Sequence, residues 1–195
     1  MLYRSSMVVA LLGAASVAPL AGQADLDDLE MAHVAVTASN IDIAYAHLAL
    51  ALSEDPGIRR FAELMIGDHS AVNAQVVALA ERLGVQAKDN PMSRQLRADA
   101  SRIKDELSSL RGEAFDRRYA QNELAYHRTV NGVVADAFIP NIETPQVREA
   151  FEGALQIFRR HERHAERMVD AVEAPDRSAS STPHIPSTES NRKES

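Results

Sequence analysis

The stretch IFRRHERHAERMV, residues 157–169, decides how the chain is read. It has the composition of a helix, and it carries two histidines three residues apart among arginines and glutamates. Residues three and four apart share one face of a helix, so an apolar series at that spacing marks the buried side. Ile157 or Phe158, Ala165 and Met168 form such a series, and His161 falls in step with them. His164 lies at the edge of the stripe, as an alternative to Ala165. Arg159, Arg160, Glu162, Arg163 and Glu166 turn mostly toward water. A histidine is thereby expected inside a helical core, where its ring nitrogens need partners.

The stripe runs back through Ala154, Ala150 and Val147 to a start near Thr144-Pro145, with Thr as N-cap and Pro at the first helical position. It runs forward to Val172. Three other long stripes precede it. The first helix, capped by Asp25 or Asp27 and ended at Asp55-Pro56-Gly57, has Met31, Ala35, Ala38, Asp42, Tyr45, Ala49 and Leu52 on one face. His33, Thr37, Asn40 and His47 lie on another face, read as the solvent side. The second helix, about 56–83, has Ile58, Phe61, Met65, His69, Val72, Val76, Leu79 and Leu83, and Gly84 follows as a C-terminal cap. The third long helix, about 113–139, has Phe115, Tyr119, Glu123, His127, Val130, Val134 and Ala137, ended by Pro140-Asn141. Between the second and third, residues 93–110 are helical in pattern but polar, which predicts an extra, partly exposed helix. No strand alternation and no tandem repeat is present. The expected fold is therefore all-α: a left-handed, antiparallel four-helix bundle with an extra polar helix before the third long one.

Each long helix offers one inward polar residue: Asp42, His69, His127 and His161. Asp42 lies 13 residues before Asp55, and His69 lies 13 after Pro56, so an antiparallel pair sets them level. His127 lies 12 before Ile139 and His161 17 after Thr144; at 1.5 Å per residue that is an offset of ~7 Å, within the reach of a loose loop. Glu123, one turn before His127, adjoins the layer, and Tyr119 is a further polar neighbour. Asp68 is turned about 100° from His69 and is expected to face out.

Three imidazoles and a carboxylate suit Zn, Cu, Ni or Fe. A di-iron carboxylate centre needs about four carboxylates and two Glu-x-x-His motifs. Ile66 and Leu124 stand where those glutamates belong, so at most a mononuclear site is expected, on Asp42, His69, His127 and His161 with Glu123 and Tyr119 behind. The alternative is a metal-free buried polar network that fixes helix register. His161 and His164 also have the spacing of a surface metal clip. No haem is expected, since Cys-x-x-Cys-His is absent and alanine-rich stripes leave little room. No nucleotide is expected, for want of a Gly-rich phosphate loop, and no nucleophile motif points to catalysis.

The flanks bound the rest. Arg4, the apolar run Met7 to Val17, Pro19 and the small residues Gly22-Gln23-Ala24 have the pattern of a secretory signal peptide over residues 1–24. The chain has no cysteine, so an exported, periplasmic protein would rest on its core alone. Residues 25–173 form the expected domain. From Ala174 on, Ser, Pro and charge predominate, which predicts a disordered tail with His184 inert in it. The net charge of −7 disfavours nucleic acid as a partner; a metal ion or envelope proteins remain. Beyond the leader no run is read as a membrane span.

Asp55-Pro56, Phe61-Ala62, Met65 and Asp68-His69, followed by Phe115-Asp116, Tyr119, His127 and later His161, resemble domain-of-unknown-function family 4142 over about residues 27–172. The resemblance implies an exported protein with a ferritin-like helical bundle, of a kind often labelled outer-membrane; it implies no reaction. Asp42 stands where the family's first-helix glutamate is usual, and Tyr45 where a leucine is expected. An outer-membrane span would be a barrel of alternating strands, a pattern this sequence lacks.

Overall fold

A computed structural model describes residues 26–174. The expected leader, and all but the first residue of the expected tail, lie outside them. The described residues are all-helical, and no strand occurs among them. Five helices follow in order: α1 Asp28–Leu52, α2 Pro56–Leu83, α3 Pro91–Ser109, α4 Gly112–Val133 and α5 Pro145–Glu173. A π-helical turn, Val134–Phe138, and a 3-10 turn, Ile139–Asn141, close α4.

Local chemistry sets the helix ends. Asp27, not Asp25, caps α1: its carboxylate accepts from the Glu30 amide at 2.8 Å, and Glu30 accepts from the Asp27 amide at 3.1 Å. Such reciprocal bonds satisfy two amides that the first turn leaves without partners. Asp55 does the same for α2, accepting from Gly57 and Ile58 at 2.7 and 2.9 Å, with Pro56 preset for the first turn. Gly84 ends α2 at φ +67°, a left-handed conformation that costs a residue without Cβ little. Thr144 stands at the cap of α5, but its side chain makes no bond to the helix. The start of α5 is instead tied to α1: the Asp28 carboxylate accepts from the Glu143 and Thr144 amides at 3.0 and 2.8 Å.

α1 packs along α2, and α4 along α5; α2 meets α5, and α1 meets α4. α3 packs against α1 and touches α4. This placement corrects one expectation. The face of α1 read as the solvent side is covered in part by α3, so Thr37 is buried and His33 bonds Ser93 Oγ of α3 at 2.8 Å, while Asn40 and His47 stay exposed. A second correction concerns membranes. By length and composition α1 is apolar enough to cross one. In the fold it is half buried between other helices and holds the buried Asp42.

Two apolar clusters form the core. One gathers Tyr45, Ala49, Phe61, Met65, Phe115 and Met168, joined by Leu107 of α3. The other gathers Met31, Val34, Leu79, Phe138, Phe151 and Leu155. The stripe of α5 is Val147, Phe151, Leu155, Phe158, His161, Ala165 and Met168. It therefore sits one position on from the predicted Ala150–Ala154 series, and Phe158 rather than Ile157 points in. Between the two clusters the four long helices place their inward polar residues.

Candidate metal centre

Asp42, His69, His127 and His161 come from α1, α2, α4 and α5, and all four are at least 96% buried. The Asp42 carboxylate oxygen Oδ2 lies 2.6 Å from His69 Nε2 and 3.4 Å from His127 Nε2. The imidazole centroids form a near-equilateral triangle: 5.9 Å for His69–His127, 5.3 Å for His69–His161 and 5.5 Å for His127–His161. Two sets of donor atoms lie mutually within 4.8 Å: His69, His127 and His161, and Asp42, Glu123 and His127. The four predicted ligands thus fall into two adjoining sets that share His127, Asp42 lying with Glu123 in one and His161 with His69 in the other.

The hydrogen bonds fix which ring nitrogens face inward. A carbonyl or carboxylate oxygen can only accept, so the nitrogen bonded to it carries the proton. His127 Nδ1–H donates to the Glu123 carbonyl at 2.9 Å, which leaves Nε2 as a lone pair. His161 Nε2–H donates to Asp68 Oδ2 at 2.8 Å, which leaves Nδ1 as a lone pair. Both lone pairs are buried and bond to nothing. His69 stacks flat on Phe158, with centroids 4.5 Å apart and planes 7° apart. It approaches Asp42 off the N–H line, so contact at 2.6 Å coexists with unsatisfied nitrogens.

Asp68 is the partner that sequence reasoning missed. Its side chain is 39% exposed, so the outward reading was half right. One residue's rotation from the stripe puts it at the edge of α2, where α5 passes, and there it meets His161. The only available signal was its place next to an inward histidine. Asn131 is the other residue missed: it is buried on α4 and donates to Glu162 of α5 at 2.7 Å. His164 stays at the stripe's edge, its ring edge-on to Phe61 at 5.2 Å.

Burial and charge divide the carboxyl groups. Burial alone would raise Asp42, but the imidazoles of His69 and His127 outweigh it and hold the group down at about 2. Glu123 is pushed well above the usual range, first by burial and then by the Asp42 charge. The two acids are thus shifted in opposite directions. Burial lowers His127, and it lowers His161 to about 4 although the Asp68 bond opposes the shift. Tyr119, one turn before Glu123, is fully buried with no partner for its hydroxyl, and burial raises it well above its ordinary value.

The donor set therefore holds unprotonated imidazole nitrogens and an ionised carboxylate in a water-poor layer. Tetrahedral ligands at about 2.05 Å from a metal stand about 3.4 Å from one another. The His127–Asp42 contact has that spacing, while His69 and Asp42, at 2.6 Å, would have to part by about 0.8 Å.

The model of a family described as "Domain of unknown function (DUF4142)" matches residues 13–168. The chain belongs to that family. No curated protein and no solved structure matches it.

Proposed function

We propose that this family member is an exported protein whose ferritin-like, antiparallel four-helix bundle, residues 25–173, holds one transition-metal ion. Asp42, His69, His127 and His161 are the ligands, with Glu123 and Tyr119 beside them. The donor set suits Zn, Cu, Ni or Fe. Residues 1–24 are the export signal and the periplasm is the destination, supported by Arg4, the apolar run Met7 to Val17 and the small residues Gly22-Gln23-Ala24.

One observation carries the metal reading. His127 and His161 each tie one ring nitrogen to an oxygen acceptor and leave the other, unprotonated, buried without a partner, and His127 stands beside the Asp42 carboxylate. Outer hydrogen bonds of this kind orient metal-binding histidines and raise their basicity. Orphaned buried polar atoms otherwise cost about 1–3 kcal/mol each, and a metal ion would satisfy several at once. Calorimetric titration of chelator-treated protein with Zn(II) or Cu(II) tests this. One ion per chain is expected, and Asp42→Ala should abolish the heat. An unchanged titration in that variant would refute the assignment.

A second reading is a metal-free polar register in an envelope-interaction protein. It is favoured by the His69–Asp42 contact, which pairs α1 with α2 without any ion. On that reading His→Gln substitutions alter stability and leave metal content unchanged.

A further inference from the structure

Beside the ligands the core is not filled. Asp42, His69 and His127 form part of the wall of a narrow cavity of about 20 Å³. The rest of the lining is mostly apolar, Ala35, Ala38, Val130, Val134 and Phe158, with the buried Ser39 among them. Tyr126 also lines it, but its hydroxyl already donates to the Ala38 carbonyl at 3.0 Å. A void needs about 10–15 Å³ of this measure to hold one water. The space is therefore on the scale of one water or one two-atom molecule. It exists because α1 presents alanine at positions 35 and 38, where any larger side chain would close it.

Two further voids, of about 30 and 50 Å³, share walls with it. Ala35 and Val134 line all three. The first void extends to the half-buried Asn73, and the second to the exposed Thr129. Small, mostly apolar spaces thus lie side by side next to the ligand layer. Spaces of this kind disfavour ions and polar metabolites, which would lose their hydration in them. Small neutral molecules enter at little cost.

We propose that the metal centre keeps one coordination position open to this cavity, and that the position takes a neutral diatomic molecule of the size of dioxygen, nitric oxide or carbon monoxide. The inference rests on the metal reading above and on an ion such as Fe or Cu, whose coordination, unlike that of a tetrahedral zinc site, extends beyond four protein donors. Ala38 and Val134 set the size limit. They touch the small ligand's space and are not metal ligands.

The test uses the domain loaded anaerobically with Fe(II) and exposed to nitric oxide, or with Cu(I) and exposed to carbon monoxide. Metal content is measured on the same samples. One equivalent of metal, with an iron–nitrosyl electron paramagnetic resonance signal or a copper–carbonyl infrared band, is expected. Ala38→Leu should keep the metal and lose the signal; the milder Val134→Ile should keep the metal and weaken the diatomic about tenfold. Stoichiometric metal with no nitrosyl or carbonyl signal overturns the open position and leaves the metal reading standing. Signals of parental strength in both metal-loaded variants overturn the cavity as their site. Uptake of neither iron nor copper overturns the proposal, and zinc binding then decides whether the metal reading survives.

Discussion

Replacing His161 with glutamine in the metal-free protein should flatten the acid limb of its stability curve. Burial lowers His161 to about 4 from an ordinary 6.5. The unfolded chain therefore takes up a proton near pH 6.5 that the folded chain refuses until about pH 4. A depressed folded value means stability present above the unfolded value and lost as pH falls toward the folded one. The interval is 2.5 pH units, at 1.36 kcal/mol per unit. Between pH 7 and pH 4 the parent should lose about 3 kcal/mol through this one group. Glutamine cannot titrate, so the variant lacks that loss, whatever its fixed cost. Urea unfolding in chelator at both pH values measures it as a double difference, in which other titrating groups cancel. The stability gap between parent and variant should change by about 3 kcal/mol across the interval. Parallel curves would refute the reasoning, for they would mean that His161 charges as readily when folded as when unfolded.

Glu123 should act with the opposite sign. Its raised value makes folding stability fall as pH rises above the ordinary 4.5, so Glu123→Gln, close in shape to the protonated acid, should gain stability over the parent between pH 5 and pH 8 in urea melts. Asp68→Asn takes the acceptor charge from His161 Nε2; metal affinity by chelator competition should fall about 10–100-fold, with unfolding free energy changed by less than about 1 kcal/mol. Phe61 is fully buried, edge-on to Tyr119, His127 and His164; Phe61→Ala should cost about 3–5 kcal/mol in equilibrium unfolding.

Much of this arrangement was legible in the sequence, because a helix states its buried face by its period. Asp42, His69 and His127 each fell on a stripe whose apolar members are buried or half-buried along most of its length. Counting from the Asp55-Pro56 turn set Asp42 and His69 level, and they lie 2.6 Å apart. The apparent offset of His127 and His161 narrows because helical winding continues past Ile139 to Asn141 in a 3-10 turn, whose rise per residue is about 2.0 Å. The π-helical turn Val134–Phe138 winds in an extra residue, which brings Phe138 rather than Ala137 to full burial. Nothing in a 3.6-residue pattern signals such a turn.

What the sequence hid depends on neighbouring helices. Thr37 and His33 look solvated until α3 is packed against α1. Asp68 looks exposed until α5 brings His161 to it. The α5 stripe was read through its alanines, although Phe151 and Leu155 bury the larger surface and set the packing. Periodicity tells which face is buried but not which helix buries it. Residues at the border of a stripe are therefore the ones misread.

The central claim is that four residues from four helices hold a metal. The most direct measurement is elemental mass spectrometry of the domain, purified without a histidine tag and incubated with Fe, Cu, Zn and Ni, beside a His69→Ala/His161→Ala double variant. About one equivalent of a single metal in the parent and none in a folded variant is the expected result. A metal-free parent, or equal metal in both proteins, would contradict it.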